Sequence, residues 1–166
     1  TVLLAVCLVL SIGTMGAFAD ESVVTSPDEL IAAVNNARDG DAIILGADIV
    51  FDPTAVQDSN SESVEPMAVV RSDITLDLNN RTIRWDTNKT KSSFPYVPAF
   101  MSIDGAELTI TGEGVVDAEA DNNTSYCFNV INDGQLVIEN GTYYGAMTVA
   151  QVQSGRLKIH GGTFDL

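Results

Sequence analysis

Leu136-Val-Ile-Glu-Asn-Gly-Thr-Tyr143 is the stretch on which the fold turns. It reads apolar, variable, apolar, polar, then Asn-Gly, then Thr and an aromatic ring. Apolar side chains two positions apart share one face of an extended strand, and Asn-Gly favours a tight turn. The same grammar returns in Leu76-Asp-Leu-Asn-Asn-Arg-Thr-Ile83, Leu108-Thr-Ile-Thr-Gly-Glu-Gly-Val115 and Leu157-Lys-Ile-His-Gly-Gly-Thr-Phe164. A strand–turn–strand unit cannot bury its apolar face alone, so repeats of it must stack on one another as a solenoid.

Laid over one another, the four stretches form columns. Leu76, Leu108, Leu136 and Leu157 make one, and Leu78, Ile110, Ile138 and Ile159 a second; both are expected to point inward. Asn80, Gly112, Asn140 and Gly161 form a turn column, as expected where the backbone needs a positive φ. Ile83, Val115, Tyr143 and Phe164 then re-enter the core. The spacing between repeats shortens along the chain, and the excess is assigned to two polar loop excursions, residues 52–69 and 87–98.

Upstream, Ser26-Pro-Asp-Glu29 opens a helix over 27–38. Ser26 and Glu29 make a capping box, Pro27 suits the first helical position, and Leu30, Val34 and Ala37 form an apolar stripe. Gly40 is expected to close it. Asp41 to Phe51 reads as strand, bend and strand. Residues 1–19 carry no charge and end in Ala17-Phe-Ala19, the small-residue pattern of a cleaved signal peptide. They are too few to span a membrane comfortably, and no other stretch is apolar enough, which leaves residues 20–166 as an exported domain without a transmembrane span.

All 8 basic and 23 acidic residues lie in that domain, giving a net charge of −15. This excludes a nucleic-acid partner, whose affinity comes from clustered Lys and Arg, and disfavours long-range attraction of a polyanionic sugar. With Cys7 in the leader, Cys127 stands alone; it reads as a packed side chain, and with His160 it offers too few ligands for a metal site. Asn80, Asn88, Asn122, Asn123 and Asn140 head Asn-x-Ser/Thr triplets; Asn80 and Asn140 coincide with the turn column and need no glycan to explain them.

The Leu-x-Ile, Gly/Asn turn and Thr-aromatic coils, preceded by an amphipathic helix, resemble the right-handed parallel β-helix of the pectin-lyase-like superfamily over residues 26–166. The resemblance implies an all-β solenoid with residues 27–38 as its N-terminal amphipathic capping helix. It also implies a secreted or cell-surface protein that meets polysaccharide. Family hydrolases carry Asn-Thr-Asp, Asp-Asp, Gly-His-Gly and Arg-Ile-Lys motifs, and the nearest trace here is Arg156-Leu-Lys158. Since Leu157 belongs to a core column, Arg156 and Lys158 simply flank it outward. The Trp-Ile-Asp-His and Arg-Pro motifs of pectate lyases are absent. Asp39 and Asp41 would bind calcium only with further oxygens beside them, so no cofactor or metal is expected.

One outward region carries ligand chemistry. The overlay puts Arg84, Val116, Tyr144 and Asp165 in one exposed column, with Trp85 and Asp117 in the next; aromatic faces beside carboxylate and guanidinium groups suit a sugar. The competing reading packs Tyr144 and Trp85 beneath the excursion loops. The expectation is therefore a non-catalytic adhesin or stalk that binds a polysaccharide or matrix glycan. Its alternative is the N-terminal part of a polysaccharide lyase or glycoside hydrolase whose catalytic coils lie beyond residue 166. Neither catalytic residues nor oligomeric state are legible. Incubated with pectin and calcium, the chain is expected to release no unsaturated uronide; a rise in the enone absorbance would overturn the non-enzymatic reading.

Overall fold

The computed structural model describes residues 19–53, 66–88, 99–119, 126–145 and 148–165. The chain runs β1 (Glu21–Val24), α1 (Pro27–Asn36), β2 (Ala42–Leu45), β3 (Ile49–Phe51), β4 (Ala68–Val70), β5 (Ile74–Asp77) and β6 (Arg81–Trp85). It continues through β7 (Met101–Asp104), β8 (Glu107–Thr111), β9 (Gly114–Asp117), β10 (Phe128–Ile131), β11 (Gly134–Ile138) and β12 (Thr142–Tyr144). It ends with β13 (Ala150–Val152), β14 (Gly155–Ile159) and β15 (Thr163–Asp165). Each described strand pairs in parallel with its counterparts in neighbouring coils. The first sheet runs β1-β2-β5-β8-β11-β14, the second β3-β6-β9-β12-β15 and the third β4-β7-β10-β13. From β4 onward the chain visits third, first and second sheet in rotation, so each circuit is one coil. This all-β, all-parallel architecture is compatible with a β-helix or solenoid.

Helix α1 forms for local reasons. The Ser26 side chain accepts from the Glu29 amide at 3.3 Å, and Pro27 stands at the first position. The Glu29 carboxylate reaches back to the amide and hydroxyl of Thr25, at 2.7 and 2.8 Å. That is one residue earlier than a standard capping box, and those bonds lower its pKa. Leu30 and Val34 are buried against the first strands. The helix ends at Asn36 rather than residue 38, because Ala37 is already extended; Gly40, at φ 93°, bends the chain three residues later. Upstream of α1, β1 pairs with β2, a strand that the sequence reading did not include. Residues 1–18 of the expected signal peptide lie outside the described residues.

The repeat is real but its first register differs from the overlay. Leu108 lies beside Ile74, not Leu76, and Leu76 pairs with Ile110. The inward columns are thus Ile74, Leu108, Leu136, Leu157 and Ile43, Leu76, Ile110, Ile138, Ile159. The slip is of two residues, an even number, so each side chain keeps its side of the sheet and the overlay still assigned these residues to the core. In the second sheet Val116, not Val115, joins Ile83, Tyr143 and Phe164. Val116 lies six positions after Ile110, whereas Tyr143 lies five after Ile138, the residue paired with Ile110, and that extra residue causes the shift.

The turn column is corrected in the same way. Asn80 (φ 58°) and Gly112 (φ 74°) are left-handed as expected, but Asn140 and Gly161 are not; Gly141 and Gly162 take that conformation instead. Asn140 works through its side chain, accepting from the Gly141 amide at 2.9 Å and donating to Glu113 on the coil below at 2.8 Å. The excursion set at 52–69 also ends earlier, since β4 begins at Ala68. Most of it and residues 89–98 of the second excursion lie outside the described residues.

Carboxylates supply the turns where strand pairing stops. Asp39 accepts the Asp73 amide at 3.0 Å, and Asp73 accepts the Glu107 amide at 2.7 Å. Asp48 accepts the Thr82 amide at 3.0 Å. Each reaches 34 residues along the chain, which is one coil. At the other end of the stack Val152, Leu157, Ile159 and Phe164 continue the inward columns but are exposed.

Leu136 is fully buried, and a Cβ on Gly134 would sit 2.6 Å from the Ile103 carbonyl oxygen. In urea denaturation Leu136→Ala should lose about 2–5 kcal/mol, and Gly134→Ala should also be clearly destabilised. Lys158→Ala on the exposed face should stay within about 0.5 kcal/mol of the parent.

Candidate functional site

The second sheet presents its outer face between its turns. Inward residues there are Ile49, Ile83, Val116, Tyr143 and Phe164, together with Phe51 and Trp85, so the alternate positions point out. The register brings Val50, Arg84, Asp117, Tyr144 and Asp165 into a single outward column. Arg84, Asp117, Tyr144 and Asp165 had been singled out from the sequence, and all now stand in line on successive coils. Asp117 takes the place the overlay gave to Val116, which is fully buried. With coils about 4.8 Å apart, the line from Arg84 to Asp165 is about 14 Å long.

Trp85 does not belong to this face. It is 1 % exposed and lies inside the coil, stacked on Phe100 with ring centres 5.0 Å apart and tilted against Phe51 at 5.8 Å. The reason is the pleat: Trp85 follows Arg84 directly and so must point the opposite way. Its indole N–H has no hydrogen-bond partner among the described residues.

Within the column Arg84 and Asp117 have defined tethers. The Arg84 Nη1 donates to the Trp85 carbonyl at 3.2 Å, which holds the guanidinium close to the sheet. Asp117 Oδ1 accepts the Glu119 amide at 2.9 Å, leaving Oδ2 without a partner among the described residues. The Tyr144 ring is half-buried and meets no other ring among the described residues. Asp86 and Glu119 follow Arg84 and Asp117 by two positions, just past the ends of β6 and β9. Asp86 Oδ1 accepts from Asn88. Chemically, this surface offers one flat aromatic ring, one planar donor and several acceptors. These are the groups that hold hydroxylated rings.

The other candidates resolve as structure. Cys127 is buried, with Sγ 3.4 Å from the Tyr144 carbonyl oxygen and 3.7 Å from that of Val116. Burial pushes its thiol far above the ordinary thiol range, and likewise raises the Tyr143 phenol, whose hydroxyl donates to the Asn140 carbonyl at 2.7 Å. His160 lies 2.9 Å from Glu139, each just past the end of its first-sheet strand, β14 and β11. The calcium candidates are occupied with backbone: Asp39 holds the Asp73 amide, and Asp41 holds the amides of Asp20 and Arg38, each at 2.9 Å. Those bonds lower the pKa of Asp41. Among the described residues no group of three or more His, Cys, Asp or Glu could hold a metal ion, and no helix is long and apolar enough to cross a membrane.

Sequence reasoning missed the alternation between Arg84 and Trp85, although adjacency alone settles it. It also missed the Asn132–Asp133 turn, where both residues have positive φ and Asn132 donates to Asp104 at 2.8 Å. The signal there was Asn-Asp-Gly134, a turn sequence between two apolar runs.

The buried thiol gives a pH test. A folded-state pKa above the unfolded value adds stability that is complete below the unfolded pKa and is lost as pH rises. Cys127 and Tyr143 should therefore lower the melting temperature once pH passes the unfolded thiol value of about 8.5 and the phenol value of about 10. A disulfide reagent should label Cys127 readily in urea and negligibly in the folded chain at pH 8. Rapid labelling at Cys127 in the folded chain would contradict the buried position.

Comparison with family models, with curated proteins and with solved structures gives no match to this chain.

Proposed function

We propose that this chain is a right-handed parallel β-helix of the pectin-lyase-like type, exported to the cell surface or medium, that binds carbohydrate without cleaving it. The observation that carries the reading is the outward column of Arg84, Asp117, Tyr144 and Asp165 on successive coils. A folded polysaccharide-binding face needs an aromatic platform with acceptors and donors at fixed spacing, and strands provide that rigidity better than loops. Right-handed winding is supported by the parallel crossovers, since parallel strands joined within one sheet connect that way in nearly all proteins. Export is supported by the uncharged leader and its small-residue end.

The absence of cleavage is supported by where the reactive groups sit. Cys127 lies beneath the column with its thiol enclosed in the core, and His160 is engaged with Glu139, so these two are not brought together as nucleophile and base. The face has the materials for holding a sugar.

Affinity electrophoresis through gels containing single polysaccharides tests this. The panel comprises galactan, xylan, a β-glucan, polygalacturonate and a sulfated glycosaminoglycan. At least one should retard the chain, and Tyr144→Ala should weaken that retardation at least tenfold at unchanged melting temperature. If no polysaccharide retards the chain, or if Tyr144→Ala binds as well as the parent, this reading fails.

A further inference from the structure

The charges on the second sheet specify the kind of glycan, an inference that rests on the carbohydrate-binding reading above. The column holds two carboxylates, Asp117 and Asp165, with Asp86 and Glu119 just past the ends of its strands, whereas Arg84 is the cation of the column. Arg84 is itself turned toward the sheet through the Trp85 carbonyl. Around it the chain carries a net charge of −15. An anionic sugar laid along this face would bring its carboxylates or sulfates against protein carboxylates, and like charges repel most when partly screened from water.

A neutral sugar meets the same groups favourably. An ionised carboxylate is a pure acceptor with two oxygens, and every hydroxyl of a pyranose is a donor. Asp117 keeps one oxygen without a partner among the described residues, on the coil next to the Tyr144 ring. A sugar stacked on that ring therefore has a charged acceptor at its edge, and hydrogen bonds to charged groups are the stronger kind. The column runs perpendicular to the strands, along the stacking axis, for about 14 Å. That is the direction in which a chain can repeat the same contact from coil to coil.

We infer that the second sheet's outer face binds a neutral, hydroxyl-rich polysaccharide lying along the stacking axis, with Tyr144 as platform and Asp117 as acceptor, and that it rejects polyuronates and sulfated glycans. The full chain is run through gels containing galactan, xylan or β-glucan and, separately, polygalacturonate or a sulfated glycosaminoglycan. Each is repeated at ionic strengths of about 0.01 M and about 0.15 M, which change the screening length from roughly 30 to roughly 8 Å. The expected result is retardation by at least one neutral polymer, unchanged between the two salt conditions. Asp117→Ala should weaken it at least tenfold, while Asp117→Asn, which keeps one acceptor oxygen, should lose less. Tighter binding to an acidic polymer, growing as salt is lowered, would overturn this inference while leaving the carbohydrate reading in place. Retardation by a neutral polymer that is unaltered in both Asp117 variants would also overturn it. No retardation by any polymer would remove both readings together.

Discussion

Parallel pairing in register is the constraint on which everything else in this chain depends. Each coil leaves a row of backbone donors and acceptors along its edge, and here the strand of the next coil, running in the same direction, satisfies them. Once β5 lies on β2 and β8 on β5, every residue has a fixed neighbour above and below. Like must then sit on like: Ile43, Leu76, Ile110 and Ile138 form one unbroken inward file. The turns are where this pairing lapses, and there the carboxylates of Asp39, Asp48 and Asp73 take over the amides of the following coil. Part of the acidity of the chain is therefore structural, although composition alone reads it as solubility.

The same constraint builds the candidate site. A side chain directly next to an inward one must point outward, and registered stacking turns isolated outward residues into a line. Arg84, Asp117, Tyr144 and Asp165 come from four separate strands with no local reason to meet. Their alignment follows from the core, because Ile83, Val116, Tyr143 and Phe164 stack beneath them. A surface of this kind needs no pocket to be specific. Its rigidity comes from the buried file one residue away, and its spacing comes from the hydrogen-bonded distance between strands.

Several features were legible before any coordinates. Ser26, Pro27 and Glu29 announce the helix through capping chemistry that acts within one turn of chain. The period-two pattern of Leu136 and Ile138 announces strands, and its recurrence announces stacking. The burial of Cys127 followed from its apolar neighbours. What misled the overlay was turn length. It aligned Leu76 with Leu108 by letter, whereas the chain aligns Ile74 with Leu108, since apolar residues at positions 74, 76 and 78 fit either register equally well. The turn column failed for a related reason. Asn140 and Gly161 match Asn80 by count, but the shorter turns place Gly141 and Gly162 at the bend.

By itself the sequence determined the class of structure: strands stacked in parallel behind one helix, with apolar files inside and an acidic exterior. Those properties follow from periodicity, capping and charge, all of which act locally or sum over the chain. Only the tertiary structure decided which residues share a column. It moved Val116 inward and Asp117 into line, sent Trp85 into the core beside Phe100, and committed Asp39 and Asp41 to backbone amides. The physical reason is that a column is a relation between coils, set by the length of every intervening turn. A change of one residue in a turn reverses which side chain faces out.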